Sequence, residues 1–366
     1  MTNNQRIYNT LFSFINSIID QRITTIKSLC LLMTGIFLSH SIHLSEIADE
    51  LPISGKSDSL VQRIRRFLKN KKIDDKAVYN PIDRGIIQSA SAGGRIRLIV
   101  DVTPVHGNLK IFSISIAYRR RAVPLVWKVI DKAGTTDAAT QIELLEHLIP
   151  LIPKGVEVVI IGDGEFRSTG LIGWLYTKGW HYRLRVAKDT YMRDEYGEWI
   201  QLQDLNLSPG ETIFLQGVFL TKEDPTGPVN LAITWKKGED GPWYIVTDQP
   251  ANWGTLTDYK VRMWIEEMHG DLKGHGLHID QTHLRDTSRI SRLFLALSIL
   301  YVWLMHTGSW VIKRGWRDQV DRNHRRDISI FHIGYRWLLR QLAQALPLHI
   351  GLILYFWTHP PKLTGS

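Results

Sequence analysis

The spacing of apolar residues predicts helices at the start of this chain. Over residues 5–40 apolar side chains recur every three or four positions, which places them on one face of a helix. The recurring residues include Ile7, Leu11, Phe14, Ile15 and Ile18. A stretch of small residues, IQSASAGG at 87–94, predicts a linker. Residues 1–90 are therefore expected to form a helical unit.

Two short helices joined by a turn are predicted inside that unit. Ser45 is placed to cap a helix over 46–51. After the turn PISGKSD, Ser57 or Asp58 is placed to cap a second helix over 59–68. Basic residues crowd this second helix and its end, namely Arg63, Arg65, Arg66, Lys69, Lys71 and Lys72. We interpret the pair as a helix–turn–helix that binds DNA, the alternative being a solvated helical face.

From residue 95 the pattern changes to strands. The predicted order is strand 95–105, strand 109–120, strand 123–131, a helix from Thr135 or Thr136 to about Leu151, strand 156–163, helix 168–178 and strand 181–187. Short connections make the first three strands an antiparallel meander. The nearly continuous apolar run at 156–163 is typical of a strand covered on both faces. This order predicts an α/β fold with a ribonuclease-H-like core.

The next segment interrupts the core pattern. Residues 188–250 are strand-like and rich in Gly, Pro and Trp, which predicts an inserted all-β subdomain. Residues 251–312 are expected to complete the core with helices. Residues 313–366 are expected to form a C-terminal helical region. The apolar runs at 293–305 and 346–357 are shorter than the roughly 18 residues that span a bilayer, so we interpret them as buried helices and expect no membrane partner.

Charge is distributed unevenly over these regions. The net charge of the 366 residues is +9. Residues 1–95 carry +5, residues 96–255 carry −2 and residues 256–366 carry +6. Basic flanks that grip phosphates and an acidic middle that holds cations would give this distribution, although a general solubility surplus would give it too. The single cysteine, Cys30, excludes an internal disulfide and fits a reducing cytosol.

Two aspartates follow apolar strands of the predicted core. Asp101 ends the run LIV and Asp163 ends the run VVIIG. A right-handed crossover can make these strands parallel neighbours, which would bring both carboxylates to one edge of the sheet. Adjacent carboxylates repel each other unless a cation lies between them. Two-metal phosphoryl transfer needs such a set of oxygen ligands, completed by a third carboxylate.

A third carboxylate stands in the sequence DYKVRMWIEEMHGDLKGH at 258–275. Its chemistry-bearing residues are Tyr259, Arg262, Glu266 and Lys273, at gaps of three, four and seven. These gaps predict that all four lie on one face of a helix. Glu266 would supply oxygen to a metal ion, while Arg262 and Lys273 would bind phosphates. Glu267 lies about 100° away around the helix and is off this face.

These residues resemble the insertion-sequence-four family of DDE transposases, which includes the enzymes of composite transposons five and ten. The family's Tyr-Arg-Glu-Lys signature matches with every gap, and its first Asp is likewise followed by Thr two positions on, here Thr103. Its second Asp opens an Asp-Arg-Gly-Phe motif. Here the motif reads Asp163-Gly164-Glu165-Phe166, and Arg167 is the candidate for the missing arginine. The resemblance covers roughly residues 95–310.

The resemblance implies cut-and-paste DNA transposition. Mg²⁺, as two ions that Mn²⁺ could replace, would be held by Asp101, Asp163 and Glu266. The enzyme would cut a transposon end, pass through a hairpin and join the freed 3′-hydroxyl to target DNA. Its partners would be the terminal inverted repeats, the target DNA and a second subunit in a synaptic complex. The expected location is the bacterial cytoplasm, at the nucleoid.

Several further residues have weaker interpretations. Trp199, Trp235 and Trp243 of the β insertion are candidates to stack an unpaired base, or else core residues. Glu165 could assist the metal ions. His269, His275 and His278 lack the spacing of a zinc site. The alternatives to a transposase are a ribonuclease-H-like nuclease without strand transfer and an inactive, transposase-derived DNA-binding protein.

Overall fold

The computed structural model describes residues 1–193, 196–274, 276–322, 324 and 326–356. His275 therefore lies outside the described residues. The helices are α1 (Asn3–Ile18), α2 (Ile23–Ser39), α3 (Leu44–Asp49), α4 (Ser57–Lys69), α5 (Asp75–Ser91), α6 (Ala138–Glu146), α7 (Thr169–Lys178), α8 (Trp253–Lys260), α9 (Met263–Leu272), α10 (Thr287–Lys313) and α11 (Ile330–Ala343). The strands are β1 (Arg95–His106), β2 (Leu109–Tyr118), β3 (Arg121–Asp131), β4 (Glu157–Gly162), β5 (His181–Val186), β6 (Tyr191–Arg193), β7 (Trp199–Gln201), β8 (Thr212–Leu220), β9 (Thr226–Thr234) and β10 (Trp243–Thr247).

The ten strands form one mixed sheet in the order β3-β2-β1-β4-β5-β10-β9-β8-β6-β7. The predicted meander of β1, β2 and β3 is confirmed as antiparallel, and β4 pairs in parallel with β1 and with β5. Alternate residues of β4 pack on opposite faces: Val159 and Ile161 pack with Tyr259 of α8, while Val158 and Ile160 join the main core. The sheet is therefore covered on both faces at β4, as the apolar run predicts.

The strands predicted for residues 188–250 are present, but they do not form a sheet of their own. β10 pairs with β5 of the core in antiparallel fashion, and β9, β8, β6 and β7 continue outward from it. The structure thus shows an extension of the core sheet where the sequence predicts an inserted subdomain. The pairing of Tyr244 in β10 with Val186 in β5 is one point at which the added strands join the core sheet.

Helix α10 lies at the centre of the packing between the sheet and the N-terminal helices. It is mostly apolar, and 89% of its most apolar 18-residue window is buried within the protein. Among the described residues it is the helix whose length and composition would also allow a membrane span. Burial of this extent is typical of a core helix that other elements surround. The predicted apolar run at 293–305 is its middle.

Several predicted helix boundaries are wrong. The helical stretch 5–40 is two helices, since the chain leaves helical geometry between Ile18 and Ile23. Ser45 is not a cap, and neither Ser57 nor Asp58 is one: α3 begins after His43 and α4 after Lys56, both without a side-chain cap. Asp137 caps α6 in place of Thr135 or Thr136, because its carboxylate accepts the Thr140 amide at 2.8 Å.

The predicted linker at 87–94 and the predicted helix at 346–357 also differ from the structure. The small residues at 87–91 belong to α5, since Ser and Ala are compatible with a helix and only the glycines that follow end it. The apolar run from Leu346 is not a helix within the described residues, which reach Phe356. Pro347 removes a backbone donor and opposes helix formation there. Leu352 and Leu354 are nevertheless buried, and Trp303 of α10 donates its indole N–H to the carbonyl oxygen of His349 at 2.9 Å.

Candidate active site

Asp101 and Asp163 lie side by side at one edge of the sheet. Val100 of β1 pairs with Gly162 of β4 in parallel register, and each aspartate is the next residue along the chain. Gly162 is required at this close approach, since a Cβ there would lie 2.7 Å from Cγ2 of Val100. The parallel pairing inferred from the apolar runs is therefore confirmed, and it brings the two carboxylates to one cleft.

The four signature residues do not share one straight helix, contrary to prediction. α8 ends at Lys260 and α9 begins at Met263. Between them the amides of Val261 and Arg262 bond to carbonyl oxygens three residues back, at 3.0 and 2.9 Å. This tighter winding changes the angular position of each later residue, so the 3.6-residue spacing no longer holds across it. Lys273 lies just beyond the end of α9, at its C-cap.

Three of the four nevertheless reach the residues at the sheet edge. The Nη1 atom of Arg262 lies 3.5 Å from Oδ1 of Asp101 and 3.1 Å from Oε1 of Glu266. The Nζ atom of Lys273 donates to Oγ1 of Thr103 at 2.6 Å. Arg262 therefore neutralises two of the predicted metal ligands, and Lys273 is held against the strand that carries Asp101.

Tyr259 occupies a different environment from the other signature residues. Its ring is buried and contacts Trp243 edge to face, with centroids 5.5 Å apart. Burial raises the pKa of its hydroxyl, and Arg262 acts in the opposite direction. The side chain lies under α8 against the sheet, so packing explains its position directly.

The cleft itself has a volume of about 490 Å³. Its lining includes all three predicted catalytic carboxylates and the signature lysine, together with a histidine: Asp101, Asp163, Glu266, His269 and Lys273. The three carboxylates come from β1, from the residue after β4 and from α9. Glu267 forms an ion pair with Arg121 at 2.9 Å and does not line this cleft.

Electrostatics in the cleft favour the arrival of a cation. The pKa of Asp101 is raised to about 8: burial is the largest cause, Arg262 opposes it, and the carboxylates of Asp163, Glu266 and Glu165 add to it. Three acidic neighbours around a buried carboxyl leave excess negative charge, which a divalent ion would remove. Burial also lowers the pKa of Lys273, whereas Asp280, Asp101 and Glu266 raise it.

The donor set fits Mg²⁺ by its chemistry. Carboxylate oxygens are the ligands this hard cation prefers, and Asp101, Asp163 and Glu266 supply them around one space. Within the described ranges no three His, Cys, Asp or Glu side chains are close enough to hold an ion as they stand. The Arg262 guanidinium lies between Asp101 and Glu266. The side chain of Glu266 is about half exposed and can rotate. The three carboxylates can therefore surround one ion only if the hydrogen bond between Glu266 and Arg262 breaks.

His269 is a member of the cleft that the sequence interpretation missed. Its Nδ1 lies 3.5 Å from Oδ2 of Asp101, and burial lowers its pKa to about 3, so the ring is neutral. It stands three residues after Glu266, a spacing that puts both on one face of α9 and could have identified it. His278 does not line the cleft.

Glu165 and Arg167 have distinct positions around Asp163. The Glu165 carboxylate accepts two hydrogen bonds from Thr136, at 2.6 Å from the amide and 2.9 Å from the hydroxyl, and so holds the loop before α6. Arg167 lines a second cavity of about 510 Å³ together with Asp163, Arg185 and Arg262. An arginine thus does lie beside the second aspartate although the Asp-Arg-Gly-Phe motif is broken.

The three candidate tryptophans are partly buried. Trp243 lies under Lys236, whose Nζ is 3.9 Å from the ring centroid, and against Tyr259. Trp235 donates its indole N–H to the carbonyl oxygen of Glu239 at 2.9 Å. Trp199 is the first residue of β7, at the outer edge of the sheet. A more exposed aromatic ring, Trp253 at 66% exposure, begins α8 and was not among the candidates.

Comparison with known proteins places this site in a family. The sequence model described as "Transposase DDE domain" matches residues 93–303, more than half of the chain. This chain therefore belongs to the transposase DDE domain family. The match spans β1, β4 and α9, the three elements that carry Asp101, Asp163 and Glu266, and it implies that the mixed sheet contains a ribonuclease-H-like core. No curated protein matches the chain.

Proposed function

We propose that this protein is a cut-and-paste DNA transposase of the insertion-sequence-four family. One observation carries the proposal: three carboxylates from three distant segments line a single cleft, with Arg262 and Lys273 beside them. The family match supports a transposase, and it suggests an enzyme that cleaves and joins DNA. The Tyr-Arg-Glu-Lys gaps support the particular subfamily. Strands β6 to β10 would be that subfamily's β insertion, joined here to the core sheet.

Asp101, Asp163 and Glu266 would hold two Mg²⁺ ions, with Mn²⁺ as a possible replacement. When bound, such ions activate water or a 3′-hydroxyl and stabilise the charge on the phosphorus centre. The protein's own part is to position the groups. Thr103 anchors Lys273 beside Asp101, and the strand register holds the two aspartates together.

Arg262 and Lys273 would bind the phosphates that flank the cut. A guanidinium offers two parallel donors to a phosphate, whereas an ammonium acts as a point charge. Arg262 is bonded to Asp101 and Glu266, so it would exchange these carboxylates for a DNA phosphate as ions enter. One side chain would thus balance the charge of the cleft both with and without substrate.

The reaction would proceed by strand cleavage, a hairpin intermediate and transfer of the 3′-hydroxyl to target DNA. Its partners would be the terminal inverted repeats, target DNA and a second subunit in a synaptic complex. Expected localisation is the bacterial cytoplasm, at the nucleoid. Arg63, Arg65, Arg66 and Lys69 of α4 would contribute to DNA binding.

The test is a cleavage assay on DNA that carries the element's own ends, with Mg²⁺. Asp101→Ala, Asp163→Ala and Glu266→Gln should each abolish cleavage while DNA binding persists. The matched control is Glu267→Gln, which removes the charge of the adjacent glutamate whose partner is Arg121. This control should cut at close to the parent rate.

The products separate the alternatives. Joined target DNA supports a transposase, whereas nicked ends without joined product would identify a nuclease. Binding without any cleavage by the parent protein would identify an inactive, transposase-derived DNA-binding protein. Retained cleavage by Glu266→Gln would refute the choice of third carboxylate.

A further inference from the structure

A polar groove of about 910 Å³ separates the N-terminal helices from the catalytic core. One wall is formed by α4 and the residues that precede α3. The other wall is formed by residues 282–284 and by Arg289 in the first turn of α10. The groove is thus built from two parts of the chain more than 200 residues apart in sequence.

One face of α4 lines this groove. Asp58, Gln62, Arg65 and Lys69 recur at spacings of three and four and all belong to the lining. Of the buried residues of the helix, Leu68 lies at the margin of the groove, whereas Ile64 and Phe67 do not line it.

Arg63 and Arg66 lie about 160° and 100° around the helix from Arg65, so Arg63 is nearly opposite the groove and Arg66 lies beyond its edge. Neither lines it. Arg66 donates instead to the carbonyl oxygen of Gln62 in its own helix, at 3.4 Å. The four basic candidates from the sequence therefore divide into two pairs of equal charge, of which one pair lines the groove and the other does not.

The groove is positively charged, and two of its cationic side chains are not engaged by other side chains. Its lining has three cationic side chains, those of Arg65, Lys69 and Arg289, against one carboxylate, that of Asp58. In the part of the chain that the structure describes, the side chains of Arg65 and Lys69 form neither an ion pair nor a hydrogen bond with another side chain. Cations without a protein partner, facing a groove, are placed to bind an external anion.

The groove is also attached to the catalytic cleft. The Nε2–H of His106, at the end of β1, donates to the carbonyl oxygen of Leu284 in the groove wall at 2.6 Å. Lys273 of the cleft is bonded to Thr103 on the same strand. The core wall of the groove and the lysine of the cleft are therefore both held by the strand that carries Asp101, so a polyanion in the groove would be positioned relative to the cleft.

We propose that this groove binds the phosphodiester backbone of the duplex DNA whose end is cut in the adjacent cleft. Arg65 and Lys69 contact it from α4, and Arg289 contacts it from the core. This inference rests on the proposed transposase function and deepens it. It assigns backbone contacts to the groove-facing pair of α4 and adds a core residue, Arg289, to the binding surface.

The test measures the affinity for a fluorescent 30-bp duplex of mixed sequence at several salt concentrations, with EDTA present so that nothing is cut. Backbone contacts carry no sequence information, so a mixed duplex is a sufficient probe. Each phosphate contact contributes about 0.9 to the slope of log K against log salt. Arg65→Gln/Lys69→Gln should therefore lower the slope by about 1.8, and Arg289→Gln by about 0.9.

The matched control is Arg63→Gln/Arg66→Gln, which removes the same charge from the same helix. Its slope should fall by less than half as much as that of the groove pair. Equal losses in the two pairs, or no loss in the groove pair, would overturn the inference. Circular dichroism melting identifies any variant that is unfolded, and Lys69→Gln with Arg289→Gln then serves as a second pair that spans both walls.

The outcome also separates this inference from the proposed function. Normal binding by the groove variants, with cleavage by the parent intact, removes the groove assignment and leaves the transposase proposal in place. A parent protein that neither binds duplex nor cuts its ends contradicts both.

Discussion

Replacing Gly162 by alanine tests whether strand spacing controls the catalytic carboxylates. The new Cβ would lie 2.7 Å from Cγ2 of Val100 and 3.1 Å from two atoms of Phe166. Ordinary contact begins at 3.4 Å, so the neighbours must yield by about 0.7 Å at Val100. Overpacking of a close-packed core costs about 1–3 kcal/mol. We expect a loss of stability of that size.

The same displacement should affect catalysis more strongly than stability. Val100 and Gly162 immediately precede Asp101 and Asp163, so a wider gap between the strands separates the two carboxylates. A shift of about 1 Å in a reacting geometry can cost on the order of a hundredfold in rate. We therefore expect cleavage to fall about tenfold or more, with DNA binding retained.

Urea denaturation and single-turnover cleavage would measure the two effects. Gly173→Ala is the matched control, because this exposed glycine of α7 has nothing within 4 Å of an added Cβ. It should be neutral or stabilise by about 0.5–1 kcal/mol. The double variant Val100→Ala/Gly162→Ala relieves the closest contact, so the cost of Gly162→Ala should be smaller in that background. Unchanged stability and unchanged cleavage in Gly162→Ala would refute the reasoning.

Two other predictions concern buried charge. Asp258 forms ion pairs with Arg95 and Arg97 at 2.7 and 2.9 Å, so Asp258→Ala should lower the free energy of unfolding by about 2–4 kcal/mol in urea denaturation. The control is Glu143→Ala, which removes an exposed ion pair with Lys128 and should cost less than about 1 kcal/mol. Similar losses in the two variants would contradict the prediction. Burial raises the pKa of Asp83 from 3.8 to about 8, so the native state holds a proton that the unfolded chain releases. The stabilisation that comes from protonated Asp83 is fully present below about pH 4 and is lost as the pH rises through the native pKa of about 8. Asp83→Asn should therefore gain a few kcal/mol relative to the parent between pH 5 and pH 8, and parallel pH profiles would contradict it.

The sequence was sufficient for those features that depend on short-range patterns. The apolar run of β4 predicted a strand covered on both faces, because burial on both sides leaves no polar alternation. The closeness of Asp101 and Asp163 then followed from the rule that connected parallel strands are neighbours. The gaps from Tyr259 to Lys273 marked the signature without any knowledge of packing.

Features that depend on contacts between distant segments could not be predicted from the sequence. Spacing predicted one straight helix for the signature, but the tight turn at Val261 and Arg262 redirects the chain, and the bond from Arg262 to Asp101 spans 161 residues. Hydrogen bonds between β5 and β10 decide that residues 188–250 extend the core sheet, and strand pairing leaves no local signal in either strand.

The direction of the basic residues of α4 was also decided by tertiary structure alone. Their sequence spacing shows that Arg65 and Lys69 share one face and that Arg63 and Arg66 lie elsewhere. The packing of Ile64, Phe67 and Leu68 orients that helix against its neighbours. The hydrogen bond from His106 to Leu284 helps to place the core wall that lies across the groove from it. Local sequence sets the periodicity of a helix, whereas the burial of its apolar face against the rest of the chain sets which surface it presents.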